Sequence, residues 1–248
     1  MDTTAYLERI NYRGSRTASA ETLRNLQVAH LLSVPFENLS IHSHEPIVLN
    51  DEALFDKIVE RRRGGFCYEC NGLFAALLRA LGFDVSMLSG EVARAEGGFS
   101  QPFDHMTLIV KLEETWLVDV GFGDSFLEPL KVYVSTEQIQ GSQSFRIVAQ
   151  AHYFVVERQY EREWKPEYRF TLQPYHYSDF EEMCRYHQTS PQSHFTQKSI
   201  CSLATSDGRI TLSDMRFIVT NNGLREERTL KNSQEYDQIL LKQFGIKM

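Results

Sequence analysis

The sequence predicts an α+β fold, and three observations carry that reading. Apolar residues at helical spacing fill the first third of the chain. Short runs of β-branched and aromatic residues, broken by polar turns, fill the middle. The last part mixes such runs with a final helix. At 248 residues the chain has room for two or three small folding units around one or two cores.

The elements follow in chain order. Residues 5–10 read as a short helix. Ser19 stands where a cap is needed for a longer helix reaching Leu32, in which Leu23, Leu26, Ala29 or His30, and Leu31 or Leu32 recur near helical spacing, and Pro35 stops it. Asn50 caps a third helix over 51–61 that gathers Leu54, Phe55, Ile58 and Val59 on one face. Acids stand at its start and arginines at its end, as the helix dipole favours. The run Arg63-Gly64-Gly65-Phe66-Cys67-Tyr68-Glu69-Cys70-Asn71 then leads into a strongly apolar helix that ends at Gly82. Strands are predicted over 85–88, 106–110 and 116–120, and the polar Glu113-Glu114-Thr115 between the last two makes them a hairpin. The β pattern continues over 145–149, 153–157 and 168–172. It resumes over 210–212 and 216–220, with Asn221-Asn222-Gly223 as a turn, and a helix over 233–244 closes the chain. The helix bearing Cys67 is expected to lie buried against the first sheet.

Composition narrows the function. A net charge of −7 and a pI near 5.6 argue against a dedicated nucleic-acid binder, although Arg61-Arg62-Arg63 could hold a phosphorylated small molecule. No apolar run approaches membrane-spanning length, and the first residues lack the basic-then-apolar order of a signal peptide. Four cysteines, at 67, 70, 184 and 201, are too sparse and irregular for a disulfide scaffold. A reducing, cytoplasmic setting is expected.

Cys67 is the candidate nucleophile. Gly64 and Gly65 bring the backbone close, and a thiol at a helix N-terminus faces unpaired N–H groups that favour its thiolate. It needs a base and a group to orient that base. His105, at the head of one predicted strand, and Asp119, on the next, come near each other if those strands pair. His30, His42, His44, His152, His176, His187 and His194 remain rivals as base, and Asp104 and Asp124 compete with Asp119. An inert buried thiol is the ordinary fate of a free cysteine. Cys67-Tyr68-Glu69-Cys70 is a redox-type spacing, but it follows a helical third and not the first strand of a thioredoxin-like unit. Cys184 and His187 could complete a zinc site only on paper. Cys70 is expected to be packed and unreactive, and no metal is expected.

Six segments in order resemble the arylamine N-acetyltransferases: Tyr6-Leu7-Glu8-Arg9-Ile10, Pro35-Phe36-Glu37-Asn38-Leu39, the run from Arg63 to Asn71, His105-Met106-Thr107-Leu108, Asp119-Val120-Gly121-Phe122-Gly123, and Ser190-Pro191-Gln192-Ser193-His194-Phe195. The resemblance covers nearly the whole chain and thins over 140–188. The chain lacks the long insertion of vertebrate members, which suits a compact bacterial-type enzyme. The resemblance implies a helical N-terminal domain over 1–84 carrying the nucleophile, a β-barrel-like domain over 85–190 carrying His and Asp, and an α/β lid over 191–248, around a cysteine-protease-like Cys-His-Asp core. It assigns the triad to Cys67, His105 and Asp119, and favours Asp119 over its neighbours.

The same resemblance implies ping-pong acetyl transfer. Acetyl-coenzyme A, as cosubstrate, acetylates the cysteine, and an arylamine or arylhydrazine then takes the acetyl group. Arg63, Glu37 and Asn71 would form a buried polar network behind the nucleophile, although Arg63 also reads as a helix-end charge in water. Phe36 and Phe122 would wall the amine pocket, and Gly121 and Gly123 would let the coenzyme approach the backbone. The protein would act as a monomer or homodimer on small molecules. A cysteine peptidase or amidase, and a relative that closes macrolactam rings, would share the triad. A binding module with a vestigial site is the non-enzymatic rival.

Overall fold

The computed structural model describes residues 1–247. The chain opens with helices α1 (Thr3–Arg9) and α2 (Ala20–Leu31). Asp2 and Ser19 cap them by accepting backbone N–H groups of the first turn. A two-residue strand β1 (Phe36–Glu37) and a short helix α3 (Leu39–His42) follow. Asn50 caps α4 (Asp51–Phe55) as expected, through a bond from the Ala53 N–H. The expected helix does not continue regularly to Arg61. It widens into a π-helical turn (Asp56–Glu60), with the Arg61 N–H reaching the Asp56 carbonyl at 2.8 Å. Lys57 lies in this widened turn and is buried.

Helix α5 (Cys67–Ala80) is the centre of the larger core, and every residue from Cys67 to Leu78 is buried. Gly82, at φ +87°, turns the chain out of it. The buried face of α5 lies on strands β2 (Asp84–Val92) and β3 (His105–Lys111), the contact foreseen from the sequence.

Those strands belong to an eight-stranded antiparallel sheet. Its other members are β4 (Thr115–Val118), β5 (Leu130–Lys131), β6 (Gln138–Gln140), β7 (Gln143–Gln150), β8 (Tyr153–Tyr160) and β9 (Glu163–Tyr175), in the order β5-β4-β3-β2-β9-β8-β7-β6. Register shifts in β2–β9 and β8–β9 bend it. It curls until its two ends meet. The Gln138 amide bonds both the N–H and the carbonyl of Lys131, and Gln140 does the same for Glu128. The barrel-like middle is thus closed by two glutamines and not by a ladder. Its interior is a second apolar cluster that includes Ile109, Leu117, Phe145 and Phe170.

Helices α6 (Tyr177–Thr189) and α7 (His194–Gln197) precede a five-stranded sheet ordered β1-β10-β11-β12-β13. Its strands are β10 (Ile200–Thr205), β11 (Gly208–Ser213), β12 (Arg216–Asn221) and β13 (Leu224–Thr229), and α8 (Ser233–Phe244) covers it. Asn222 and Gly223 both take positive φ, so the predicted turn joins β12 to β13. Two elements cross the expected divisions: β1, from the helical third, is an edge strand of the C-terminal sheet, and α6 packs on α5. Gly72 permits the second contact, because a Cβ there would sit 2.5 Å from the Tyr177 ring.

Candidate active site

The segment ahead of α5 is a strap laid along β1. The Glu37 N–H bonds the Gly65 carbonyl at 3.0 Å, and the Gly65 N–H reaches the Pro35 carbonyl at 3.3 Å. A Cβ on Gly64 would lie 1.9 Å from the Pro35 oxygen, and one on Gly65 would lie 2.6 Å from the Glu69 Cβ. The two glycines therefore serve the strap's packing. Arg9, buried, fixes the strap from below with bonds to the carbonyls of Ile58, Ser33 and Arg63. Glu69, at the third helical position, accepts the Phe66 N–H at 3.1 Å and caps the helix start that presents Cys67.

His105 opens β3, with its imidazole on Gly90 of the neighbouring strand; a Cβ on Gly90 would come within 3.1 Å of the ring. The β3–β4 register pairs Leu108 with Val118, so Asp119 falls one position beyond the ladder, diagonal to His105 on the same face. His105 Nε2 and Asp119 Oδ2 are 2.6 Å apart. The other carboxylate oxygen accepts the Asn71 amide and the Gly121 N–H, each at 2.9 Å. The strand predicted to reach 120 stops at Val118 because side chains take over its backbone bonds. Gln27 accepts the Asp119 N–H, and Asn71 accepts that of Val120. Burial pushes the Asp119 carboxyl up, but His105, Asn71 and Gly121 outweigh it and hold the carboxyl below its ordinary range. Phe122 and Tyr168 pack edge-on against the imidazole at 5.2 and 5.0 Å between ring centres.

Cys67 reaches the same place. A Cβ on Gly121 would lie 2.7 Å from the Cys67 Cα, so the space saved by this glycine goes to α5. Gly123, at φ +95°, faces the Phe36 ring. Cys67 is 3% exposed, and burial pushes its thiol well above the ordinary value; the Met106 N–H opposes this, while the charges of Asp104 and Asp119 add to it. Burial thus opposes the pull of the helix start on the thiol.

The expected polar network divides in two. Arg63 donates to Glu37 through Nε at 3.0 Å and pairs with it through Nη2 at 2.9 Å. Two residues missed from the sequence complete that group: Lys57 Nζ lies 2.6 Å from Glu69 Oε1 and 3.8 Å from Glu37. Two cations and two carboxylates balance one another in a buried quartet. Arg63 is 6% exposed, so it is not a solvated helix-end charge. Asn71 belongs instead with Asp119. Glu69 was legible as a cap; nothing marked Lys57 as a buried cation, or Gln27 and Tyr168 as neighbours of the His-Asp pair.

Phe36 and Phe122 are half-buried. Phe36 meets Phe195 at 6.3 Å between ring centres. Asn38 bonds the carbonyls of Phe195 and Lys198, tying the Pro35–Leu39 motif to the Ser190–Phe195 motif. Cys70 is packed, its thiol donating to the Gly65 carbonyl at 3.1 Å. All four cysteines are free, and the described residues contain no cluster of three or more metal-ligating side chains. No described helix is long and apolar enough to cross a membrane.

A family model described as N-acetyltransferase matches residues 19–248. The human arylamine N-acetyltransferase 1 is 35% identical over an alignment spanning 100% of this chain and 95% of the relative. The chain belongs to the arylamine N-acetyltransferase family. The human alignment runs over 276 positions, so that family member carries segments this 248-residue chain lacks. Among solved members, the Mycobacterium marinum arylamine N-acetyltransferase in complex with coenzyme A superposes with a TM-score of 0.92 at 32% identity, covering 99% of this chain and 93% of that one. The proansamycin X synthase of Amycolatopsis mediterranei is also 32% identical, over 95% of this chain and 94% of its own.

Proposed function

We propose that this acetyltransferase moves an acetyl group from acetyl-coenzyme A to an arylamine or arylhydrazine through an acetyl-cysteine on Cys67. The observation that carries the proposal is the 2.6 Å His105–Asp119 pair, whose carboxylate holds Gly121, the residue packed on the Cys67 backbone. A soft nucleophile with an adjacent imidazole suits a thioester donor.

Asp119 holds Nε2 and leaves Nδ1 to act as the base. His105 takes the thiol proton, and the sulfur attacks the thioester carbonyl. A tetrahedral oxyanion forms, and the Cys67 N–H, free at the helix start, is its donor. Coenzyme A leaves with the proton held by His105. The neutral aromatic amine then attacks the acetyl-cysteine, His105 accepts its proton, and the proton returns to the sulfur as the amide departs. Phe36 and Phe122 supply apolar walls for the aromatic ring. In this reading the division 1–84, 85–190 and 191–248 separates nucleophile, base and lid.

Mass spectrometry after brief exposure to acetyl-coenzyme A, without amine, tests the proposal. An acetyl adduct on Cys67 that an arylamine or hydrazine discharges is the expected result. Adduct loss to water alone would favour a hydrolase. The likeness to proansamycin X synthase supports a second reading, in which larger acyl thioesters load Cys67 and acetyl-coenzyme A does not. Full activity in Cys67→Ala would exclude the covalent route.

A further inference from the structure

Two imidazole–carboxylate pairs stand near Cys67, and the chemistry above uses one. The second joins His187, in the last turn of α6, to Asp104, the residue before His105. His187 is 5% exposed, with Nδ1 3.0 Å from Ser193 Oγ and Nε2 3.2 Å from Asp104 Oδ1. The second approach is misaligned, so Nε2 has no hydrogen-bond partner among the described residues.

The groups facing His187 come from several elements. Phe66, the residue ahead of α5, Tyr68 of α5, Phe195 of α7 and Tyr186 of its own helix pack their rings against it. The Tyr68 phenol donates to the Phe103 carbonyl, and burial keeps it neutral. Burial likewise pushes the Cys184 thiol, one turn back on α6, up to about 12. Among the described residues Asp104 is therefore the one carboxylate within ion-pair distance of this imidazole.

Asp104 also lies near enough for its charge to bear on the nucleophile. Its charge acts on the Cys67 thiol ahead of that of Asp119, and it acts on Tyr68 as well. A bare Asp104 carboxylate disfavours a thiolate at Cys67, and a proton on His187 cancels that charge.

We infer that His187 and Asp104 form a second positioning pair for the reaction, in which the imidazole neutralises the carboxylate whose charge bears on Cys67 and so sets how readily the thiol ionises. The inference rests on the nucleophilic role proposed for Cys67.

The test is the rate of iodoacetamide alkylation of the full chain from about pH 5.5 to 9.5, mapped to Cys67 by peptide mass, because alkylation reads the thiolate whatever the acyl donor. Asp104→Asn, one-quarter exposed in the wild type, should move the Cys67 midpoint down by about one pH unit, the effect of removing one near charge. His187→Gln should slow alkylation about tenfold, one unit in the other direction. It should change nothing in the Asp104→Asn background. Thermal unfolding of each variant checks that the fold is kept. Single variants that superimpose on the wild type overturn the inference. So does a His187→Gln effect that persists without the Asp104 charge, since the ring would then act by packing alone. If Cys67 alkylates no faster than the other cysteines, or if His105→Gln leaves its rate unchanged, the nucleophile reading itself fails.

Discussion

The Asn71 amide joins the helix that carries Cys67 to the carboxylate paired with His105, with its Nδ2 2.9 Å from Asp119 Oδ1. The same side chain donates to the Met106 carbonyl at 2.6 Å and accepts the Val120 N–H at 2.8 Å. One residue thus fixes α5, β3 and the end of β4 relative to one another.

Asn71→Ala would strip all three bonds and leave a buried Val120 N–H unpaired. The expected loss is about 2 kcal/mol of stability, with kcat lower by about a hundredfold through misplacement of His105. Urea unfolding and single-turnover transfer give the two values. A stability loss with kcat unchanged would mean that Asn71 does not position the base.

Asp119→Asn tests orientation and linkage together. The wild-type carboxyl titrates below its ordinary value, so its stabilising effect is present above the unfolded value of about 3.9 and is lost as pH falls through the folded value. The asparagine variant should show a shallower fall in urea midpoint between about pH 5 and 2. Its transfer rate should drop about a thousand- to ten-thousandfold, the scale seen when a triad imidazole loses its orienting carboxylate. Equal acid slopes in the two proteins would contradict the linkage.

What was legible in the sequence was what local rules dictate. Ser19 and Asn50 are caps in the structure as in the reading, and Glu113-Glu114-Thr115 does turn β3 into β4. The hairpin brought His105 and Asp119 together without any knowledge of the fold. Elements that bury little escaped. Helix α6 offers only Phe180, Cys184 and His187 as a buried stripe, too polar to register as periodicity. Strand β13, Leu224–Thr229, is exposed throughout and is held by its ladder and by pairs such as Arg216–Glu227. The helix position of Cys67 is local and legible, whereas the burial that opposes it depends on what the rest of the chain stacks over that residue. The partners of Lys57 were hidden for the same reason.

Lys57→Met would remove the ammonium that pairs with Glu69 and leave Glu37 with Arg63 alone. Breaking one side of a buried, bonded pair costs about 3–5 kcal/mol. The pair Lys57→Met with Glu69→Gln should recover more than half of that, since no unpaired carboxylate then remains at the helix start. Guanidinium unfolding of the two singles and the double forms the cycle. Additive losses would mean that the ammonium and carboxylate do not interact.

Glu167 gives a pH effect of the opposite sign to that of Asp119. It lies in β9 beside Ser125 and Arg158, and burial lifts its carboxyl from 4.5 to about 7 against the bonds that lower it. A raised carboxyl contributes stability that is whole below its unfolded value and disappears as pH climbs through the folded one. The wild type should therefore lose stability between about pH 4.5 and 7, on the order of 3 kcal/mol from this residue alone. Glu167→Gln keeps a partner for the Ser125 hydroxyl and cannot ionise, so its unfolding midpoint should stay flatter across that window and exceed the wild type's at about pH 8. Parallel pH profiles for the two proteins would show that Glu167 ionises in the fold at no cost, with Arg158 fully compensating its charge.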